Sequence, residues 1–168
     1  EDPKSVMVIG GGPGGMEAAR VAAKRGHNVT LYEKDEKLGG LLNPAIAPEF
    51  KQEMKRLIDY YEHQLPKEDV DVRLNMEMDA ESILEKDPDI VINATGGKPV
   101  TPDVPGVNKD NVFTAEEILR SDLEETDLGD NTVVVGAGEV GCEIAIHIHD
   151  NMNTDVSVIE MLDTVAPQ

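Results

Sequence analysis

Val6-Met7-Val8-Ile9-Gly10-Gly11-Gly12-Pro13-Gly14-Gly15-Met16 is the stretch that decides the fold of this chain. Four apolar, mostly β-branched residues make a run short enough for a strand buried on both faces, and the run ends in glycines. Met16 to Arg25 follows as an Ala-rich helical stretch, with Gly26 placed to close it just beyond the C-cap. Asn28 to Glu33 then reads as a second strand with an acidic end, so a βαβ unit is complete within about 30 residues. Gly10, Gly12 and Gly15 carry the GxGxxG spacing: the first permits the tight turn, the second lets a pyrophosphate reach the backbone, and the third lets helix and strand pack closely. Phosphates would lie at the helix N-terminus, where unpaired N–H groups and the helix dipole favour anions. Pro13 falls in the first helical turn, where its missing donor is not needed, and Gly14 completes the turn. An idle glycine-rich turn would look the same. Glu33 decides between the two, because a carboxylate about 20 residues after the first glycine accepts hydrogen bonds from ribose hydroxyls. Lys34 follows it directly.

Outward from this unit, Leu38 to Pro48 is a Gly/Pro-rich loop, and Glu49 to Gln64 places Phe50, Met54, Leu57, Ile58 and Tyr61 on one helical face. Val70, Val72 and Leu74 alternate as a strand, Ala80 to Lys86 reads as a short helix, and Asp89 to Thr95 as a buried strand. The alternation predicts an α/β, Rossmann-like fold: a mostly parallel sheet with helices on both faces. Pro99, Pro102 and Pro105-Gly106 then interrupt regular structure, with Pro88 just upstream, and Thr114-Ala115-Glu116-Glu117 has the spacing of a capping box opening a helix to Arg120. From Asn131 the first pattern returns. Thr132 to Val135 is a strand, Gly136-Ala137-Gly138-Glu139-Val140-Gly141 a glycine turn, Cys142 to His149 a helix, and Val156 to Glu160 a strand with an acidic end. The expected division is a first nucleotide-binding domain over 1–112, a connector over 113–130, and over 131–168 the first βαβ of an incomplete second Rossmann unit. An incomplete sheet of this kind is expected to dock on the first domain, to pair with another copy as a homo-oligomer, or to lack order.

Composition bounds the function. The chain has 168 residues, 34 of them acidic and 15 basic, for a net charge of −19. Such a surface repels phosphate backbones and anionic lipid headgroups, which argues against nucleic-acid and membrane partners. With no Trp, two Phe and three Tyr, the core rests on aliphatic residues and Met. The single cysteine, Cys142, rules out an intrachain disulfide, a CxxC redox pair and a multi-thiolate metal site, and points to the cytoplasm. No apolar run approaches the roughly 18 residues that span a bilayer. The start, Glu1-Asp2-Pro3-Lys4, has neither a signal-peptide pattern nor an initiator Met and reads as that of a processed or excised piece.

No catalytic acid, base or nucleophile emerges from the spacing, and no metal site. His147 and His149 are two apart on a helix and face different ways; Glu143 and His147 have the i, i+4 spacing of an ordinary surface pair. Tyr60 and Tyr61, Glu62 and His63, and the acidic run Asp122-Leu123-Glu124-Glu125 read as ordinary exposed or half-buried positions.

The second turn changes the weight of the first. Gly136, Gly138 and Gly141 repeat GxGxxG, and Glu160 stands to them as Glu33 does to the first set. Two such sites imply two adenine dinucleotides and electron transfer between them. A carboxylate at Glu160 would repel a 2′-phosphate, so a nicotinamide cofactor held there is NADH in preference to NADPH.

Taken with Leu38-Gly39-Gly40, with Ala94-Thr95-Gly96 and the prolines after it, and with Glu143 behind the second turn, the chain resembles the two-dinucleotide-binding flavoproteins. Within them it is similar to the C-terminal region of the NADH:flavin oxidoreductases, the group of 2,4-dienoyl-CoA reductase and trimethylamine dehydrogenase. The resemblance implies that the first turn binds FAD, that Gly39, Gly40 and Leu41 run beside it, and that the chain around Met78 meets the adenine through its backbone. It implies that Ala94, Thr95 and Gly96 close over the FAD, that Gly136, Gly138, Glu139, Val140 and Gly141 hold NAD(P)H, and that Glu143 faces the nicotinamide end. It also implies a separate N-terminal catalytic domain with FMN and a 4Fe-4S cluster, to which electrons pass, and a fragment inactive on its own. Two other readings are a non-catalytic ADP- or dinucleotide-binding module and an electron-transfer flavoprotein like the small subunit of glutamate synthase.

Overall fold

Ser5–Ile9 forms the first strand, β1, at the interior of a four-stranded parallel sheet in a computed structural model that describes residues 2–121 and 126–166. The acidic run at 122–125 lies outside the described residues. β2 (Asn28–Tyr32) pairs with one edge of β1, from Ser5 opposite Asn28 to Ile9 opposite Tyr32. β4 (Ile90–Asn93) pairs with the other edge, and β3 (Asp71–Arg73) lies beyond β2, giving the order β3-β2-β1-β4. The fold is the expected mostly parallel α/β sheet.

α1 (Pro13–Lys24) connects β1 to β2 and buries Gly15, Met16, Ala19 and Ala22. Three of these are small, which lets the helix lie close on the sheet, and Gly26 at φ +90° stops it as expected. Their main packing partners come from β1, β2 and α3 (Lys55–Lys67): Val6, Val8, Leu31, Tyr61 and Leu65 join Met16 and Ala19 in one buried cluster. The opposite face of the sheet presents Met7, Ile9 and Tyr32, covered by Met78 and by Ile83 of α4 (Ala80–Glu85). Helices therefore lie on both faces. Asp79 caps α4 by accepting the Ser82 N–H at 2.8 Å.

Three details depart from the sequence reading. The loop before α3 contains a single helical turn, α2 (Leu42–Ala45), and the expected 49–64 helix begins as a 3₁₀ segment, Glu49–Met54, before α3. A 3₁₀ helix has three residues per turn, so the apolar positions do not stay on one face across the junction. Ile58, Tyr61 and Leu65 are buried while Phe50, Met54 and Leu57 are exposed. The strand expected to be buried, β4, is an edge strand of this sheet, and its Ile90 and Val91 are 42% and 44% exposed. Order within the sheet is non-local and leaves no mark on the local pattern.

The contacts divide the chain between Lys98 and Pro99. The stretch from 113, read as a connector, contributes α5 (Ala115–Arg120), opened by a complete capping box. Thr114 N–H donates to Glu117 Oε2 at 2.6 Å, and Glu117 N–H donates to Thr114 Oγ1 at 3.2 Å. Its Ile118 is buried with Ile144 and Ile148 of α6 (Glu139–Asn151), so α5 belongs to the second unit's core. β5 (Asn131–Val135) and β6 (Asp155–Ile159) pair in parallel along their full length. Their outer face leaves Val133, Val135 and Ile159 exposed. Among the described residues no helix is long and apolar enough to cross a membrane, and no group of residues is arranged to hold a metal ion.

α6 also buries His147, whose neighbour one turn on, Asn151, donates to the His147 carbonyl at 2.8 Å. Burial holds the imidazole below its ordinary value of 6.5, an effect that nearby Asp150 opposes. The folded chain therefore resists a proton that the unfolded chain accepts, and stability falls as pH drops below that value. Thermal unfolding of His147→Gln should show a shallower decline than wild type between ~pH 7 and ~pH 5; identical slopes would remove His147 as the cause.

Candidate functional site

The first glycine turn is held from three sides by backbone. Gly10 N–H donates to the Tyr32 carbonyl at 2.8 Å, and Ala94 N–H to the Ile9 carbonyl at 2.8 Å. Gly10 has φ +106°, and a side chain on it would strike the Ala94 carbonyl, so the Ala94-Thr95-Gly96 turn backs directly onto it. A side chain on Gly15 would overlap the Gly10 carbonyl, which is why helix and strand can approach only with glycine there. The third wall is the loop after β2. Gly39 N–H donates to the Gly11 carbonyl at 2.9 Å, and Gly40 comes so close that a Cβ on it would lie 3.1 Å from Gly12 Cα.

The carboxylate that the sequence singles out is buried beneath this turn. Glu33 is 5% exposed; its Oε2 accepts the Gly11 N–H at 2.6 Å and its Oε1 the Asp35 N–H at 2.9 Å. An ionised carboxyl has about four acceptor positions, so two remain for a ligand. Gly12 and Gly14 differ from their neighbours, because a side chain at either would meet nothing within 4 Å. The first α1 bond runs from Met16 N–H to the Gly12 carbonyl, leaving the N–H groups of Gly14 and Gly15 without intrahelical partners. The result is an open cradle with N–H donors at its floor and no basic side chain in the turn itself, a fit to the pyrophosphate of a dinucleotide.

The remaining expected positions are spread around it. Lys34 and Leu41 are exposed or nearly so. Thr95 donates its hydroxyl to Asn93 Oδ1 at 2.9 Å, which fixes the strand end. Met78 packs against Met7, Ile9 and Tyr32 on the other face of the sheet, so its side chain belongs to the core.

In the second unit Gly136 N–H donates to the Ile159 carbonyl at 2.8 Å, as Gly10 does to Tyr32. Glu160 accepts the Ala137 N–H at 2.7 Å and the Leu162 N–H at 2.8 Å. The Leu162 and Ala137 amides hold its carboxyl below the usual carboxylate range, so it is ionised at neutral pH. Gly141 abuts the Gly136 carbonyl as Gly15 does Gly10, and Gly138 is open as Gly12 is. Cys142 N–H makes the first α6 bond, to the Gly138 carbonyl at 3.0 Å. Glu139 and Val140 are exposed at the helix start, and Glu143 is half-buried one turn further. His147 is buried and His149 exposed, as their spacing requires.

Sequence reasoning passed over the residue between the first two glycines of each motif. Gly11 and Ala137 donate the amide that fixes the acidic side chain, and a backbone donor has no sequence signature. Asn43, which donates to the Leu38 carbonyl at 2.9 Å and steadies the loop before α2, was equally silent.

Gly12 and Gly15 should respond differently to the same change. Gly15→Ala must push helix and strand apart and should cost about 1–3 kcal/mol in urea unfolding, whereas Gly12→Ala has free space and should stay within about 1 kcal/mol of wild type. Equal losses would contradict the packing described.

A family model described as pyridine nucleotide-disulphide oxidoreductase matches residues 4–168. The chain is 44% identical over 165 residues to an NADH oxidase of Thermoanaerobacter brockii, which covers 97% of this chain and 25% of that protein. It is 44% identical over 168 residues to a bilirubin reductase of Mediterraneibacter gnavus, covering 100% of this chain and 26% of that one. Among solved structures, a 2-naphthoyl-CoA reductase superposes with a TM-score of 0.90 at 34% identity, over 98% of this chain and 24% of the other. The chain thus spans about a quarter of the length of the relatives it matches. With both glycine turns, their acidic partners and the sheet in place, the chain belongs to the pyridine nucleotide-disulphide oxidoreductase family, as a domain of the kind found in the flavin oxidoreductases of the 2,4-dienoyl-CoA reductase group.

Proposed function

We propose that this chain is the FAD- and NADH-binding portion of a flavin-dependent oxidoreductase, with FAD at the first turn and NADH at the second. The observation that carries the reading is the repetition of one device. Each turn leaves its second motif glycine open, Gly12 or Gly138, above a strand-end carboxylate fixed by two backbone amides. When both cofactors are bound, the nicotinamide supplies a reducing equivalent and the flavin accepts it.

The chain's own residues bind and orient. Gly12, Gly14 and Gly15 offer backbone donors to the FAD pyrophosphate, and Glu33 takes ribose hydroxyls with its two remaining acceptor positions. Lys34 borders the same ribose. Gly39, Gly40 and Leu41 flank the cofactor, the backbone near Met78 meets its adenine, and Ala94 to Gly96 close its other side. In the second unit Gly136, Gly138, Glu139, Val140 and Gly141 supply the corresponding cradle, with Glu143 toward the nicotinamide end. Ionised Glu160 accepts from the NADH ribose and repels a 2′-phosphate, which favours NADH over NADPH. We further propose that electrons continue to an FMN and 4Fe-4S catalytic domain of the full protein, and that residues 1–168 alone turn over no substrate.

The test uses the two open glycines. Gly12→Ala should weaken FAD binding by about tenfold or more and leave NADH binding intact, and Gly138→Ala should do the reverse, each with unfolding stability within about 1 kcal/mol of wild type. Calorimetric titration with FAD and with NADH measures both. Loss of neither affinity, or of both in one variant, would defeat the assignment. Glu160→Gln should narrow the preference for NADH over NADPH in the same titration.

A further inference from the structure

Three bonds donated by backbone amides link the first glycine turn, Glu33 and the chain after β2: Gly11 N–H to the Glu33 carboxylate, Asp35 N–H to the same carboxylate, and Gly39 N–H to the Gly11 carbonyl. The second unit repeats all three, as Ala137 N–H to Glu160, Leu162 N–H to Glu160, and Ala166 N–H to the Ala137 carbonyl at 2.6 Å. The spacing of Glu33, Asp35 and Gly39 is the spacing of Glu160, Leu162 and Ala166. Ala166 therefore stands in the register of Gly39, and Val165 in that of Leu38, although the stretch after Glu160 carries no glycine and no motif.

We propose that Met161 to Ala166 is a strap of the second dinucleotide site, anchored by Ala166 on Ala137, and that this anchor sets the site's affinity for the pyrophosphate-bearing half of the ligand. The proposal rests on the reading of the second turn as the NADH site. Two substitutions between the units give the strap its character. In the first unit Leu38 is buried and fills the space beside the turn, so that a Cβ on Gly11 would lie 2.6 Å from its Cδ2. In the second unit Ala137 carries that methyl itself and is 1% exposed, while Val165 points away, 68% exposed. No apolar side chain locks the strap from Val165. Its far end returns to the turn through the Ala166 bond, made by a residue at φ +46°, in the left-handed region that costs alanine energy and glycine little. Ordering of the strap and occupation of the cradle are thereby linked, and Ala166 is the residue through which they are linked.

The test compares wild type, Ala166→Gly and Ala166→Pro, all saturated with FAD, in calorimetric titrations with ADP-ribose and with NADH. ADP-ribose contains the pyrophosphate and adenosine but no nicotinamide to react. Proline removes the N–H donor and cannot adopt the left-handed conformation, and its variant should bind both ligands about tenfold more weakly or worse. Glycine keeps the donor and removes the strain, and should bind about two- to fivefold more tightly. Flavin absorbance and the unfolding midpoint report whether the first site and the fold are intact. Equal affinities in all three proteins overturn the strap. Should the proline variant fail to fold, the glycine variant decides, and an affinity equal to or below wild type overturns the proposal. Absence of ADP-ribose and NADH binding in wild type overturns the reading of the second site itself, and the strap with it.

Discussion

A single hydrogen bond, repeated once, organises this chain. The backbone amide behind the first glycine of each turn, Gly11 or Ala137, donates to the carboxylate at the end of the next strand, Glu33 or Glu160, at 2.6 and 2.7 Å. The bond ties a turn to a strand that an entire helix separates from it in sequence, and it fixes which way the carboxylate points. Charge-assisted bonds of this kind are shorter and stronger than neutral ones. Without it the acidic side chain would turn to water. With it, the carboxylate is held against the glycine turn.

Much else follows from keeping that geometry clear. Gly15 and Gly141 are glycine because helix must touch strand; Gly10 is glycine because the end of β4 crosses it. The small faces of α1, Ala19 and Ala22, extend the same close approach along the helix, and Tyr61 and Leu65 of α3 join them in one buried cluster. Tyr61 is drawn into this layer beside Glu17, which accepts two bonds from Arg20 at 2.8 and 2.9 Å on the surface of α1. The core thus serves the turn as much as it serves stability.

The sequence made the local parts of this arrangement readable. Glycine spacing, strand-end acids, the Thr114 capping box and the Gly26 stop all express constraints satisfied within a few residues or within one βαβ unit, and each appears where expected. What stayed hidden depends on distant partners or on the backbone. The edge position of β4 follows from sheet order, the exposure of Phe50, Met54 and Leu57 follows from a 3₁₀ start to the helix, and the donors at Gly11 and Ala137 belong to no side chain. Ala166 was hidden for a further reason, since alanine is not the residue that a left-handed position advertises.

The two turns contain neither lysine nor arginine, in a chain whose net charge is −19. A pocket that grips phosphates with cationic side chains loses attraction for them as added salt screens the charges. Here the donors are uncharged amides and the surrounding field is repulsive, so added salt screens the approach of a dinucleotide without competing for its seat. In the proposed complex, affinity is expected to hold or rise with ionic strength, the opposite of the trend set by a basic pocket, which would make an acidic surface compatible with an anionic cofactor.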